Sequence, residues 1–159
     1  MDVTLINPFL NAAMNVTKTM SSVDLILGGT PYLKENHVAQ GDVTGIIGLT
    51  GDAKGSLAVS FNFRLVKTIM SNMLGEEIHE LTDDAKDVVG ELTNMISGDA
   101  RSRLQGETGI DIRAAIPTVV AGENHTIKHI TEDKILAIPF KSEGGGRASI
   151  ELCVQNSNG

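Results

Sequence analysis

The 159-residue chain has no tryptophan, a single tyrosine and a single cysteine. Without aromatic platforms to stack on bases, single-stranded nucleic acid is a poor partner. A formal net charge of −7 with no basic cluster argues equally against duplex nucleic acid and anionic membrane surfaces. The lone Cys153 has no internal disulfide partner, which agrees with a reducing compartment and a cytoplasmic location. No run approaches the ~20 apolar residues that a membrane-spanning helix needs. The start, Met1 to Asn7, lacks the basic segment that opens a signal peptide. These absences leave an acidic globular chain, to which a partner bearing lysines or a bound cation would be electrostatically welcome.

What is present suits an ordinary fold. The hydrophobic fraction is 41% and the charged fraction 21%, close to the globular average. At ~100–200 residues per domain, residues 1–159 are expected to form one domain, large enough to need no disulfide or metal staple. Asn7 and Pro8 read as the N-cap and first position of a helix, with Phe9, Ala13, Val16 and Met20 recurring along one side. Short β-like runs follow at Val23 to Leu27 and Tyr32 to Glu35, on either side of a Gly-Gly-Thr-Pro turn. Val43 to Leu49 and Ser56 to Phe61 read as a hairpin joined by Thr50 to Gly55. Leu57, Val59 and Phe61 alternate with Ser56, Ala58 and Ser60, which predicts one buried face.

Asn62 and Gly75 bracket a short helix over Phe63 to Leu74, and Glu76 to Leu81 reads as a charged linker. The longest helix is expected over Asp83 to Gln105, capped by Thr82, stopped by Gly106, with Arg101 and Arg103 suiting its C-terminal dipole. The remainder reads as strands: Ile110 to Val120 broken by Pro117, His125 to Thr131, Lys134 to Phe140, and Arg147 to Val154. Pro139 pushes the third of these toward a sheet edge. Each half runs helix, proline-bearing strand region, then hairpin. The expected fold class is therefore α+β: an antiparallel sheet flanked by helices, with a pseudo-twofold repeated layout.

On the long helix, Ala85, Val88, Val89, Leu92 and Ile96 fall on one side. Asp84, Asp87, Glu91, Asn94, Gly98 and Arg101 form the opposite stripe, with no bulky apolar member. Glu91 and Asn94 are helical neighbours facing solvent. A carboxamide can accept a hydrogen bond from water and donate another to a nearby oxygen, without repelling a phosphate as a carboxylate would. Hydrolysis of an acyl phosphate depends chiefly on such positioning. Glu91 suits an ion pair with a partner lysine. Gly98, one turn past Asn94, leaves the adjoining surface open for docking, and Asp84 and Asp87 would steer a lysine-bearing partner.

The segment Asp87-Val88-Val89-Gly90-Glu91-Leu92-Thr93-Asn94-Met95-Ile96-Ser97-Gly98 resembles the active helix of the CheC/CheX/FliY phosphatase family, most nearly its CheX branch. The resemblance implies a CheC-like fold and removal of phosphate from the aspartate of a CheY-like chemotaxis response regulator. It carries over Glu91 and Asn94 as the catalytic pair, and implies that the chain has no cofactor of its own, Mg²⁺ being supplied by the response regulator. It also implies a homodimer. Asn7 to Met20 contain Asn11 and Asn15 but no glutamate, so a second Glu-x-x-Asn site on the first helix is absent. The rival expectation is a non-catalytic adaptor of the same fold that binds a receiver domain or flagellar switch component.

Other signals carry less. His125 and His129 would point to one side of a strand, but two histidines lack a third metal ligand, and a solvated face is the expectation. His37 and His79 are isolated. Gly144 to Gly146 read as a hairpin tip rather than a phosphate loop, since no helix with Gly-Lys-Ser/Thr follows. Cys153 has no activating neighbour and reads as a packed thiol. Met70 and Met73 read as core.

Overall fold

Residues 43–61 form the hairpin that their alternation predicts, and the rest of the chain is arranged around it. The computed structural model describes residues 3–80 and 82–156. In chain order the elements are α1 (Val3–Ser21), β1 (Ile26–Leu27), β2 (Tyr32–Lys34), β3 (Val43–Gly51), β4 (Ala53–Phe61), α2 (Phe63–Leu74), α3 (Asp83–Thr108), β5 (Ile112–Ala114), β6 (Thr118–Ala121), β7 (Ile135–Lys141) and β8 (Arg147–Asn156). One antiparallel sheet runs β1-β7-β8-β4-β3-β5, with β2 also on β7 and β6 also on β3.

The order carries the expected pseudo-twofold. The central pair is β4 and β8, each flanked by its own hairpin partner, β3 or β7. The short strands are exchanged: β1 and β2 of the first half border β7, while β5 and β6 of the second half border β3. Each half therefore completes the other's sheet. The β3–β4 ladder ends at Leu49↔Gly55, but Thr50 and Gly51 pair outward with β5, and Ala53 and Lys54 with β8. The expected Thr50 to Gly55 loop is thus mostly strand, because neighbouring strands satisfy its backbone.

Several boundaries differ from the sequence reading. The first helix begins at Val3, so Asn7 is not its cap and Pro8 lies inside it. The proline forfeits one donor near the helix start, and burial of Pro8 and Phe9 against the core offsets the loss. Gly106 does not stop α3. Gly109 does, at φ 76°, with its N–H donating to the Gln105 carbonyl, so the left-handed conformation falls three residues later. Arg101 and Arg103 therefore lie outside the last turn; Arg103 pairs with Asp99 at 3.1 Å instead. Thr82 precedes the helix with extended backbone but makes no side-chain cap. Of the linker Glu76 to Leu81, Leu81 lies outside the described residues. Val23 to Leu27 contribute only Ile26–Leu27 as strand.

Helix α2 follows its signals closely. The Asn62 side chain accepts from the Leu65 N–H at 3.0 Å, and Gly75 closes the helix at φ 70°. The same Asn62 oxygen accepts from the Arg147 N–H, fixing α2 to the start of β8. Pro139 lies one strand in from the edge. Its carbonyl accepts from the Gly28 N–H, so its missing donor faces the gap between β1 and β2, where no ladder bond is lost.

All three helices pack on one face of the sheet, over Val43, Ile47, Leu57, Val59, Phe61 and their neighbours. The alternation predicts one buried face, yet Ser56, Ala58 and Ser60 on the other are buried too. Two irregular segments, touching through the bridge Val38↔Thr126, cover it. His125 to Thr131 is one of them and is not a strand; its histidines are tethers rather than a solvated face. His125 Nδ1 donates to the Gly122 carbonyl at 2.6 Å, leaving Nε2 to accept from Thr44. His129 Nε2 donates to the Glu151 carboxylate at 3.1 Å, and its Nδ1 accepts from Ser56 at 2.8 Å.

Lys34 completes this cluster. Its ammonium lies 2.6 Å from Glu151 Oε2, both side chains 1% exposed, and also donates to the Val38 carbonyl. Burial alone would raise the Glu151 carboxyl. The hydrogen bonds from His129 and Lys34, with the lysine's charge, outweigh it and hold the group below its ordinary value of 4.5. Cys153, fully buried, shares this side with contacts to the Thr131 and Asp133 carbonyls, as a packed thiol.

A carboxyl depressed by folding stabilises the native state fully above its unfolded value, and the gain is lost as pH falls through the folded value. Urea unfolding is therefore expected to show stability declining below about pH 4.5, with a shallower decline in Glu151→Gln. At neutral pH that variant, which strands a buried ammonium, is expected to lose ~3–5 kcal/mol, and Lys34→Met/Glu151→Leu to recover much of it. Parallel pH profiles for wild type and Glu151→Gln would exclude the ion pair as the acid-sensitive element.

Candidate functional site

The periodicity of α3 places its two faces where the sequence implies. Ala85, Val89, Leu92, Thr93, Ile96, Ser97, Ala100 and Leu104 are buried, with Val88 partly buried against the core. Asp84, Asp87, Glu91 and Asn94 are exposed on the other side. Among the described residues neither the Glu91 carboxylate nor the Asn94 carboxamide has a hydrogen-bond or ion-pair partner within the chain. Asp84 and Asp87 are likewise without an ion pair among those residues. The stripe thus offers three carboxylates and one amide, none engaged internally.

Gly98 and Arg101 are half-buried. The Arg101 guanidinium folds back along the helix to the Ser97 carbonyl and hydroxyl, both at 3.3 Å. A Cβ added at Gly98 would meet only Arg101 Nη2, at 3.9 Å. The chain's own packing therefore does not require glycine there, although glycine weakens a helix interior by ~1 kcal/mol relative to alanine.

Two other glycines decide how the helix sits. Gly45, on the helix-facing side of β3, lies directly beneath Thr93: a Cβ added to it would fall 2.0 Å from Thr93 Oγ1. Thr93 is fully buried and donates to the Val89 carbonyl at 2.7 Å. Gly90 faces Val119 of β6, with a Cβ placed 3.2 Å from its Cγ2. The turn bearing Glu91 and Asn94 is thus seated on backbone-close contacts at both ends. None of this was legible as a site. The glycine-rich pattern of β3 was the available signal, but nothing in it names Thr93 as the partner.

The repeated layout shows what α1 carries in place of a second pair. Phe9, Ala12, Ala13, Val16 and Thr17 are buried in the same pattern as Val89, Leu92, Thr93, Ile96 and Ser97. In that correspondence Asn11 stands where Glu91 does, and Met14 where Asn94 does. Asn15 is occupied, donating to Asp99 at 3.1 Å. Among the described residues no cluster of three or more histidine, cysteine or acidic side chains could hold a metal ion. No helix is long and apolar enough to cross a membrane among them.

Residues 43–141, which include Glu91 and Asn94, match the family model described as chemotaxis phosphatase CheX. A Thermotoga maritima protein described as CheY-P phosphatase CheX is 28% identical over 129 residues, covering 80% of this chain and 82% of that protein. A CheC-like superfamily protein from Shewanella sp. PV-4 superposes with a TM-score of 0.88 at 43% identity, covering 98% of this chain and 99% of that one. The CheX–CheY–BeF3–Mg²⁺ complex from Borrelia burgdorferi matches with a TM-score of 0.76 at 27% identity, covering 94% of this chain and 97% of that one. The antiparallel sheet with three helices is the CheC-like fold these structures share.

The seating of α3 gives a direct test. Gly45→Ala is expected to destabilise the fold by ~1–3 kcal/mol through overpacking against Thr93, measured by chemical denaturation. Adding Thr93→Ala is expected to restore part of the loss. Full additivity of the two changes would show that the contact does not set the helix position.

Proposed function

The chain belongs to the family of the chemotaxis phosphatase CheX, and from that premise we propose that it hydrolyses the aspartyl phosphate of a CheY-like response regulator. The observation that carries this reading is the exposed, internally unpartnered Glu91 and Asn94 pair on a firmly seated helix. In the proposal Glu91 ion-pairs with a lysine beside the partner's phosphoaspartate and fixes the register of α3. The Asn94 carboxamide oxygen accepts from the attacking water, while its amide donates toward a neighbouring oxygen. Water oxygen bonds to phosphorus as the bond to the aspartyl oxygen breaks. The aspartate leaves as carboxylate, and inorganic phosphate carries away both protons of the water.

The amide is uncharged, so the dianionic phosphoryl group meets no repulsion from the positioning group. Among the described residues no acidic, histidine or cysteine cluster could hold a metal ion; the Mg²⁺ accompanies the response regulator in this proposal. Asp84 and Asp87 extend the acidic stripe and raise the encounter rate with a lysine-bearing surface, an effect that salt weakens. A homodimer is proposed with the function. The edge strands β1 and β2, with Ile26, Leu27 and Leu33 exposed, support association through that edge.

The test is decay of a phosphorylated CheY-type receiver domain with and without the protein. Asn94→Ala is expected to lose the acceleration by at least ~10²-fold with its circular dichroism unchanged. Glu91→Ala is expected chiefly to weaken binding. Binding without acceleration by the wild type would make the chain a non-catalytic adaptor and end the enzymatic reading.

Gly98 separates docking from folding. Gly98→Ala is expected to stabilise the isolated protein by up to ~1 kcal/mol, since the helix gains and nothing clashes. If a partner's surface closes on α3 there, the same variant loses affinity for the receiver domain. Unchanged affinity would remove Gly98 from the docking surface.

A further inference from the structure

On the sheet face away from the helices, a pocket of about 300 Å³ opens at the β7–β8 end. That volume lies at the small end of the ~300–1,000 Å³ range of ligand pockets. Pro139, Ser149 and Ser60 lie side by side across β7, β8 and β4 and form its floor. Strand alternation puts Lys141 and Arg147, two residues farther along β7 and β8, on this same face.

Three features of the pocket are unusual together. First, Lys141 and Arg147 are directly opposite each other in the ladder. Like charges so placed destabilise a sheet unless something lies between them. Second, neither has an ion-pair partner among the described residues, and the residues lining the pocket include no carboxylate, in a chain of net charge −7. Third, the Ser149 hydroxyl is buried and makes no hydrogen bond among the described residues. A buried hydroxyl without a partner has lost its water and gained nothing in return, so its retention calls for a partner.

The neighbouring serine does not share this condition. Ser60 Oγ accepts from the Gly41 N–H at 2.9 Å and lies 2.8 Å from Thr44 Oγ1. Because Thr44 donates onward to His125, the Ser60 proton is directed to Thr44 rather than into the pocket. Ser149 is therefore the free hydroxyl donor on the floor, and Lys141 and Arg147 supply the cationic wall.

We propose that this pocket binds a phosphate monoester, its dianion held by the Arg147 guanidinium and the Lys141 ammonium with a hydrogen bond from Ser149. The guanidinium suits two phosphate oxygens at once, and the lysine adds a point charge. The site lies on the opposite face of the sheet from α3 and is independent of the proposed hydrolysis.

Inorganic phosphate serves as the probe, titrated at constant ionic strength with amide shifts followed by NMR. The expected result is saturable change centred on Gly28, Ser60 and Arg147 to Ser149. Arg147→Ala is expected to weaken binding about tenfold or more, as loss of a charge-assisted hydrogen bond does. Lys141→Ala is expected to weaken it in the same sense. Both side chains are exposed, so neither change threatens the fold. Ser149→Ala is the sharper test: it is expected to raise the melting temperature without phosphate, yet to weaken phosphate binding. Shifts spread over unrelated lysines and arginines, or affinity unchanged in Arg147→Ala, would overturn the proposal. Equal binding of malonate with the same residue map would overturn the assignment to phosphate.

Discussion

The contact of Thr93 with Gly45 sets how near α3 can come to the sheet. Because β3 offers no side chain at that point, the helix rests close on strand backbone, and its apolar face joins the core formed by the sheet. The consequence reaches the solvent side. A helix held that closely cannot rotate about its axis without lifting Thr93 out of its seat or driving Val119 into Gly90. The Glu91 and Asn94 side chains share that rigid frame. Precision at the exposed face is thus a product of packing at the buried face, which suits a site whose proposed work is positioning.

The other face of the sheet is closed by a different kind of interaction. Loops cannot bury a regular apolar stripe as helices do, because their backbone groups need partners. Here polar side chains of the sheet supply them: Ser56 accepts from the Ile130 N–H, and Lys34 donates to the Val38 carbonyl. Glu151, placed between Lys34 of β2 and His129, ties the covering segment that carries His129 to the edge strand through one carboxylate. The arrangement needs every member, since a buried charge without its counterpart costs several kcal/mol. The hydroxyl of Ser149, on the same face and without such a partner, stands out against that background of satisfied groups.

The exchange of short strands between halves links these features. Since β5 and β6 complete the edge beside β3, the chain following α3 passes beneath that helix and supplies Val119 to its seat. The corresponding region of the first half borders β7 and supplies Lys34 and Tyr32 to the opposite face. A repeated plan has thus diverged in use. One half presents the acid and amide on its helix; the other shows Asn11 and Met14 at the matching places.

Local chemistry in the sequence determined the parts whose causes are local. The cap at Asn62, the closure at Gly75, the β3–β4 and β7–β8 hairpins and the two faces of α3 all follow from short-range periodicity and turn residues, and so were legible. The exposed placement of Glu91 and Asn94 belongs with them, because it is a property of one helix. Tertiary structure alone decided the rest. Pro8 sits within a helix because core burial outweighs one lost donor, and α3 runs past Gly106 because the left-handed cap falls at Gly109. His125 and His129 face inward because serine, threonine and glutamate from distant strands meet them there. Contacts such as Lys34 with Glu151 and Gly45 with Thr93 join residues far apart in the chain, and no local pattern of either partner encodes the other.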